Sequence, residues 1–65
     1  MIKLEDLLSV AKNYIAIMNG AHQSIVVNVY HLKDSSLSDS LLKRNVKEME
    51  VKDGIILVWL EGYGN

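Results

Sequence analysis

The sequence predicts an α+β domain in which two short helices pack on a four-stranded, mainly antiparallel sheet, in the order α-β-β-α-β-β. Three observations carry this. Leu4, Leu7, Leu8 and Ala11 recur at the i, i+3, i+4, i+7 spacing of a helix face. The turn pairs Asn19-Gly20 and Asp53-Gly54 each stand between apolar, strand-like segments. Ile55-Ile56-Leu57-Val58-Trp59-Leu60 is an unbroken apolar run, as expected of a strand buried on both faces.

The first helix is expected from about Lys3 to Lys12, with Glu5 and Asp6 in its first turn and Lys12 in its last, the polarity that the helix dipole favours. Tyr14 to Met18 follows as a strand, because Tyr and Ile suit a pleated surface. Ser24 to Leu32, rich in β-branched residues, is its hairpin partner, and His22 falls in the loop between them. Ser36 with Asp39 resembles a capping box, Lys43 and Arg44 close the last turn, and Asn45 is suited to a left-handed cap; together they predict a second helix over Leu37 to Arg44. Val46 to Val51 alternates, with Met49 and Val51 on one face and Glu48 and Glu50 on the other. Asp53-Gly54 joins it to the apolar strand 55–60, and residues 61–65 read as a flexible tail.

Sixty-five residues make a single domain near the lower limit for independent folding. Without cysteine, neither a disulfide nor a thiolate metal site is available. His22 and His31 have no carboxylates around them at a metal-ligand spacing, so neither metal nor cofactor is expected. Oligomerisation is the remaining way to stabilise so small a chain. If both helices cover one face of the sheet, about half of Ile25 to Leu32 and half of Ile55 to Leu60 are left uncovered on the other, which predicts a homo-oligomer assembled through an apolar sheet face; one helix on each face would instead give a self-sufficient monomer.

The net charge of −1 is scattered, giving neither the basic stripe of a nucleic-acid groove nor the acidic one of a DNA mimic. No apolar run is long enough to cross a bilayer and the N-terminus lacks signal-peptide architecture. The chain reads as soluble and cytoplasmic.

Leu4-Glu5-Asp6-Leu7-Leu8, together with the stretch Leu41-Leu42-Lys43-Arg44-Asn45-Val46 that continues through Asp53-Gly54-Ile55-Ile56-Leu57, resembles small proteins of bacteriophages and prophages of Gram-positive bacteria. Those have a leading x-x-D-L-L helix and a closing D-G hairpin. The resemblance covers both ends of the chain and lapses over Ala21 to Ser36. It implies a protein that acts by binding a host protein, such as a defence effector, in the host cytoplasm. The α-β-β start is similar in architecture to small anti-CRISPR proteins, although the acidity that lets some of them imitate DNA is missing here.

Trp59, Tyr63, Tyr30 and His31 are the side chains assigned to partner contact. Three of them also have a plainer role, Trp59 as core or subunit-interface filler, Tyr63 as part of a tail and His31 as a half-buried histidine beside Ile25, Val27 and Val29. Ser35, Ser36 and Ser38, with Lys43 and Arg44, compose a generic anion site at the start of the second helix, which suits a signalling nucleotide shared by an oligomer. Ordinary helix capping explains the same serines. With Ser35, Ser36, Ser38 and Ser40 so employed, no base-nucleophile pair stands out and the chain reads as a non-enzyme. Three roles are therefore in view: an inhibitor of a host protein, a nucleotide sponge, and a structural protein that acts by self-association.

Overall fold

The computed structural model describes residues 2–28 and 37–64. Its elements are α1 (Leu4–Val10), β1 (Ile15–Asn19), β2 (His22–Val27), α2 (Asp39–Leu42), β3 (Val46–Lys52) and β4 (Ile55–Leu60). The order α-β-β-α-β-β is the expected one. The four strands form one sheet in the order β2-β1-β4-β3, with antiparallel hairpins β1-β2 and β3-β4 joined by a parallel pairing of β1 with β4. The sheet is thus mixed. The two most apolar strands take its centre, where both edges are paired, and the charged strand β3 takes one margin.

Ile15, Ile17, Val27, Val58 and Leu60 on one face of the sheet pack against Leu4, Leu7 and Leu8 of α1. Leu37, Leu41 and Leu42, from α2 and its approach, join the same cluster, so both helices cover one face. Leu4 is fully buried, a contribution of about 2 kcal/mol for a side chain of this kind. A smaller cluster, Ala16, Met18 and Leu57 with Ile55 and Trp59 against it, occupies the other face. β4 is therefore apolar on both sides for the expected reason.

Several boundaries differ from expectation. α1 ends at Val10, and Ala11 is already extended (φ −72°, ψ 147°), turning the chain into β1. Lys12 thus lies beyond the helix. The hairpin turn after β1 is one residue later than expected: Asn19 remains in the strand opposite His22, and Gly20 and Ala21 form the turn. Gly20 has φ 60°, the positive value a type II′ turn places first. His22 is accordingly a strand residue, and the later part of the strand expected to reach Leu32 lies outside the described residues.

α2 spans Asp39–Leu42 rather than Leu37 to Arg44, with Ser38 in place of Ser36 as its cap; the Ser38 hydroxyl accepts the Leu41 N–H at 3.3 Å. It stops early because Arg44 to Val46 is recruited into strand-like pairing with the N-terminal segment. The Leu4 N–H donates to the Arg44 carbonyl at 3.0 Å and the Val46 N–H to the Ile2 carbonyl at 2.8 Å, with Lys3 opposite Asn45. Asn45 is consequently not a left-handed cap; among the described non-glycine residues only Asp53 has positive φ. Asp53 (53°) and Gly54 (77°) supply the two positive values of a type I′ hairpin.

Residues 61–64, where a tail is expected, are bonded into the fold. The Glu61 N–H donates to Asn45 O at 3.0 Å, and Arg44 Nη1 to Glu61 O at 3.1 Å. Gly64 (φ 68°) lies so close to β1 that a Cβ would stand 2.7 Å from Asn19 Cα, an approach open only to glycine. This strap runs from the end of β4 past β1 to β2.

Candidate binding surface

The helix-free face follows from the register. Opposed residues share a face, so Gln23 and Val26 of β2, Ala16 and Met18 of β1, Ile55, Leu57 and Trp59 of β4, and Glu48, Glu50 and Lys52 of β3 lie on the side away from the helices. Its centre is apolar and its β3 margin charged. Both described helices lie on the opposite side.

The centre of this face is closed by the chain itself. Ala16 is fully buried and Leu57 is 7% exposed, so the middle of β4 is covered within the chain. Trp59 is the reason: it packs against the Ala16–Met18–Leu57 cluster, and its indole Nε1–H donates to the Gly20 carbonyl at 2.8 Å. To reach the turn after β1, the ring has to extend from β4 toward the neighbouring strand. Val26 remains half exposed at 51%, and Ile55 and Trp59 are half-buried. Of these, Val26 was not singled out by sequence; its place beside Ala16 in the register is the signal that identifies it.

Trp59 and Tyr63, expected to share one contact surface, lie on different sides of the sheet. Tyr63 packs against the helix-side core, and its hydroxyl lies 2.7 Å from Ser24 Oγ on β2. The ring pins the strap across the sheet. Tyr30 and His31, the other residues assigned to partner contact, are outside the described residues.

Of the anion set, Ser35 and Ser36 also lie outside the described residues. The described members have internal partners. Ser38 Oγ caps α2 and lies 3.2 Å from Ser40 Oγ. Lys43 Nζ meets Glu5 Oε2 at 2.9 Å, joining α2 to α1, and the hydrogen bond to Glu5, followed by the charge of that carboxylate, raises the lysine above its ordinary 10.5. Arg44 bonds the strap through Nη1. In the structure Ser38 serves a helix cap, Lys43 an ion pair and Arg44 a bond to the strap.

Among the described residues, no three His, Cys, Asp or Glu side chains come together as metal ligands, and no helix is long and apolar enough to cross a membrane. Comparison of the chain with protein-family models, with curated proteins and with solved structures finds no match.

Proposed function

We propose that this chain is a non-catalytic binding protein whose working surface is the helix-free face of its sheet. The observation that supports this is the segregation of its helices: α1 and α2 share one side, while Val26, Ile55 and Trp59 retain exposed apolar surface on the other. Glu48, Glu50 and Lys52 border that surface along β3. Exposed apolar side chains with a charged margin beside them suit a protein-protein contact.

The resemblance to small phage and prophage proteins supplies the finer reading, a cytoplasmic inhibitor that occupies a host defence effector such as a CRISPR nuclease. It acts stoichiometrically, by covering a surface. Titrating the chain into a DNA-cleavage reaction of a purified CRISPR nuclease tests it directly. Cleavage is expected to fall as the chain approaches equimolar amounts, and Val26→Glu to relieve the inhibition, while Val10→Glu on the helix side leaves it unchanged. Undiminished cleavage removes the nuclease as target. Inhibition that survives Val26→Glu and Ile55→Glu alike removes this face.

A further inference from the structure

A second surface, the outer edge of β3, adjoins the helix-free face at Glu48, Glu50 and Lys52 and has its partner written in its own side chains. β3 pairs with β4 on one side only. On its other side the N-terminal segment covers just the start, where Ile2 and Leu4 bond to Val46 and Arg44. Among the described residues no segment pairs with that outer edge from Lys47 to Lys52.

Which main-chain groups the edge offers follows from the hairpin. Lys52 and Ile55 flank the turn Asp53-Gly54, so they form its hydrogen-bonded closing pair, and the alternation of an antiparallel ladder then directs Glu50 and Glu48 toward β4 as well. The N–H and C=O groups of Met49 and Val51 point outward. The side chains of the same two residues are exposed, at 49% and 68%, and lie on the helix side of the sheet opposite Val58 and Ile56.

We propose that the outer edge of β3 pairs antiparallel with β3 of a second copy of this chain, about a two-fold axis at Glu50, to give one continuous sheet. In this register Met49 stands opposite Val51 of the other copy, and the reverse, each pair exchanging main-chain hydrogen bonds through its outward groups. Glu48 stands opposite Lys52, and again the reverse. Asp53 comes alongside Lys47. The only like-charged pair is Glu50 with itself on the axis. Sliding the axis to Met49 sets Glu48 against Glu50 twice; sliding it to Val51 sets Glu50 against Lys52 twice but brings Met49 opposite the turn residue Asp53, so that only Val51 with itself exchanges main-chain bonds in place of two Met49–Val51 pairs.

The ends fit too. The partner strand stops at Lys52, opposite Glu48, and its turn bends away toward its own β4, short of the position where Ile2 holds Val46. Charges on an edge strand ordinarily deter pairing with other strands. Here their signs deter most sequences while suiting the strand against itself, and the main-chain groups of Met49 and Val51 favour the register centred on Glu50, so the occupant is a second copy.

Sedimentation equilibrium of the full chain tests this. The expected result is a reversible dimer, twice the 7.3 kDa chain, that weakens with salt. Lys52→Glu sets like charges opposite Glu48 and is expected to weaken association by about tenfold or more. Adding Glu48→Lys to it is expected to restore the dimer, and Glu50→Gln, which removes the repulsion on the axis, to tighten it, a gain that misfolding does not produce. A chain that stays monomeric to about 1 mM, well above the range where specific pairing operates, overturns the proposal. So does a dimer indifferent to the charge exchange and to Glu50→Gln, including one broken by Val26→Glu, which would place the contact on the helix-free face.

Discussion

Tyr63 shows how a single side chain at the end of the described fold contributes to its core. Its ring packs on the helix-side cluster and its hydroxyl meets Ser24, so its two parts are separable by mutation. Tyr63→Phe removes one hydrogen bond between groups that water can reach, and urea unfolding should register a loss of about 0.5–1 kcal/mol. Tyr63→Ala also removes the packed ring and should cost about 2–3 kcal/mol; equal losses for the two variants would deny the ring a place in the core. Lys43 offers a pH-dependent counterpart. Its ammonium is favoured in the fold by Glu5, so the stabilisation is complete below the lysine's ordinary value and disappears as pH rises through the elevated folded value. Lys43→Gln should therefore melt below the parent at neutral pH, with the difference closing in alkaline solution above 10.5. A difference that persists there would mean that packing of the lysine stem, rather than its charge, sets the effect.

At the scale of the elements, α1 is amphipathic in the way its spacing requires, with Leu4, Leu7 and Leu8 buried and Val10 exposed. Leu4→Ala should cost about 2–5 kcal/mol, whereas Val10→Ala should be neutral or slightly stabilising, since Ala is the better helix former. Chemical denaturation of the two variants side by side checks the asymmetry, and similar losses would contradict the burial. The elements also mark what sequence reading reaches. β3, β4 and their turn were legible because alternation, an apolar run and Asp53-Gly54 are local signals. α2 was overextended because the pairing that removes Arg44 from the helix involves Ile2 and Leu4, and contacts so remote in sequence leave no periodic trace. The turn at Gly20 was displaced by one residue because Asn19 and Gly20 both tolerate turns, and only the pairing of Asn19 with His22 decides between them.

For the molecule as a whole, the fold class was legible and the strand order was not, since the patterns that identify strands do not state their neighbours. The candidate face shows the same division. Trp59 stands out as the sole tryptophan, but its bond to Gly20 depends on which strand lies beside β4. Val26 became visible as a surface residue only once β2 was placed at the margin. Tyr63 was separated from Trp59 by the strap, whose course depends on the close approach of Gly64 to Asn19.

The parallel pairing of β1 with β4 also governs how the chain reaches this state. Each hairpin can form from neighbouring residues, but Ile15 to Ile17 must find Ile56 to Val58, closing a loop of about 40 residues before the central contact offsets that entropy. Until then the inner edges of β1 and β4, the most apolar strands of the chain, are unsatisfied in two separate hairpins. Closing the seam between the hairpins is thus expected to be the slow step of folding, and in a chain emerging from the ribosome the inner edge of β1 has no lasting partner until β4 follows it out.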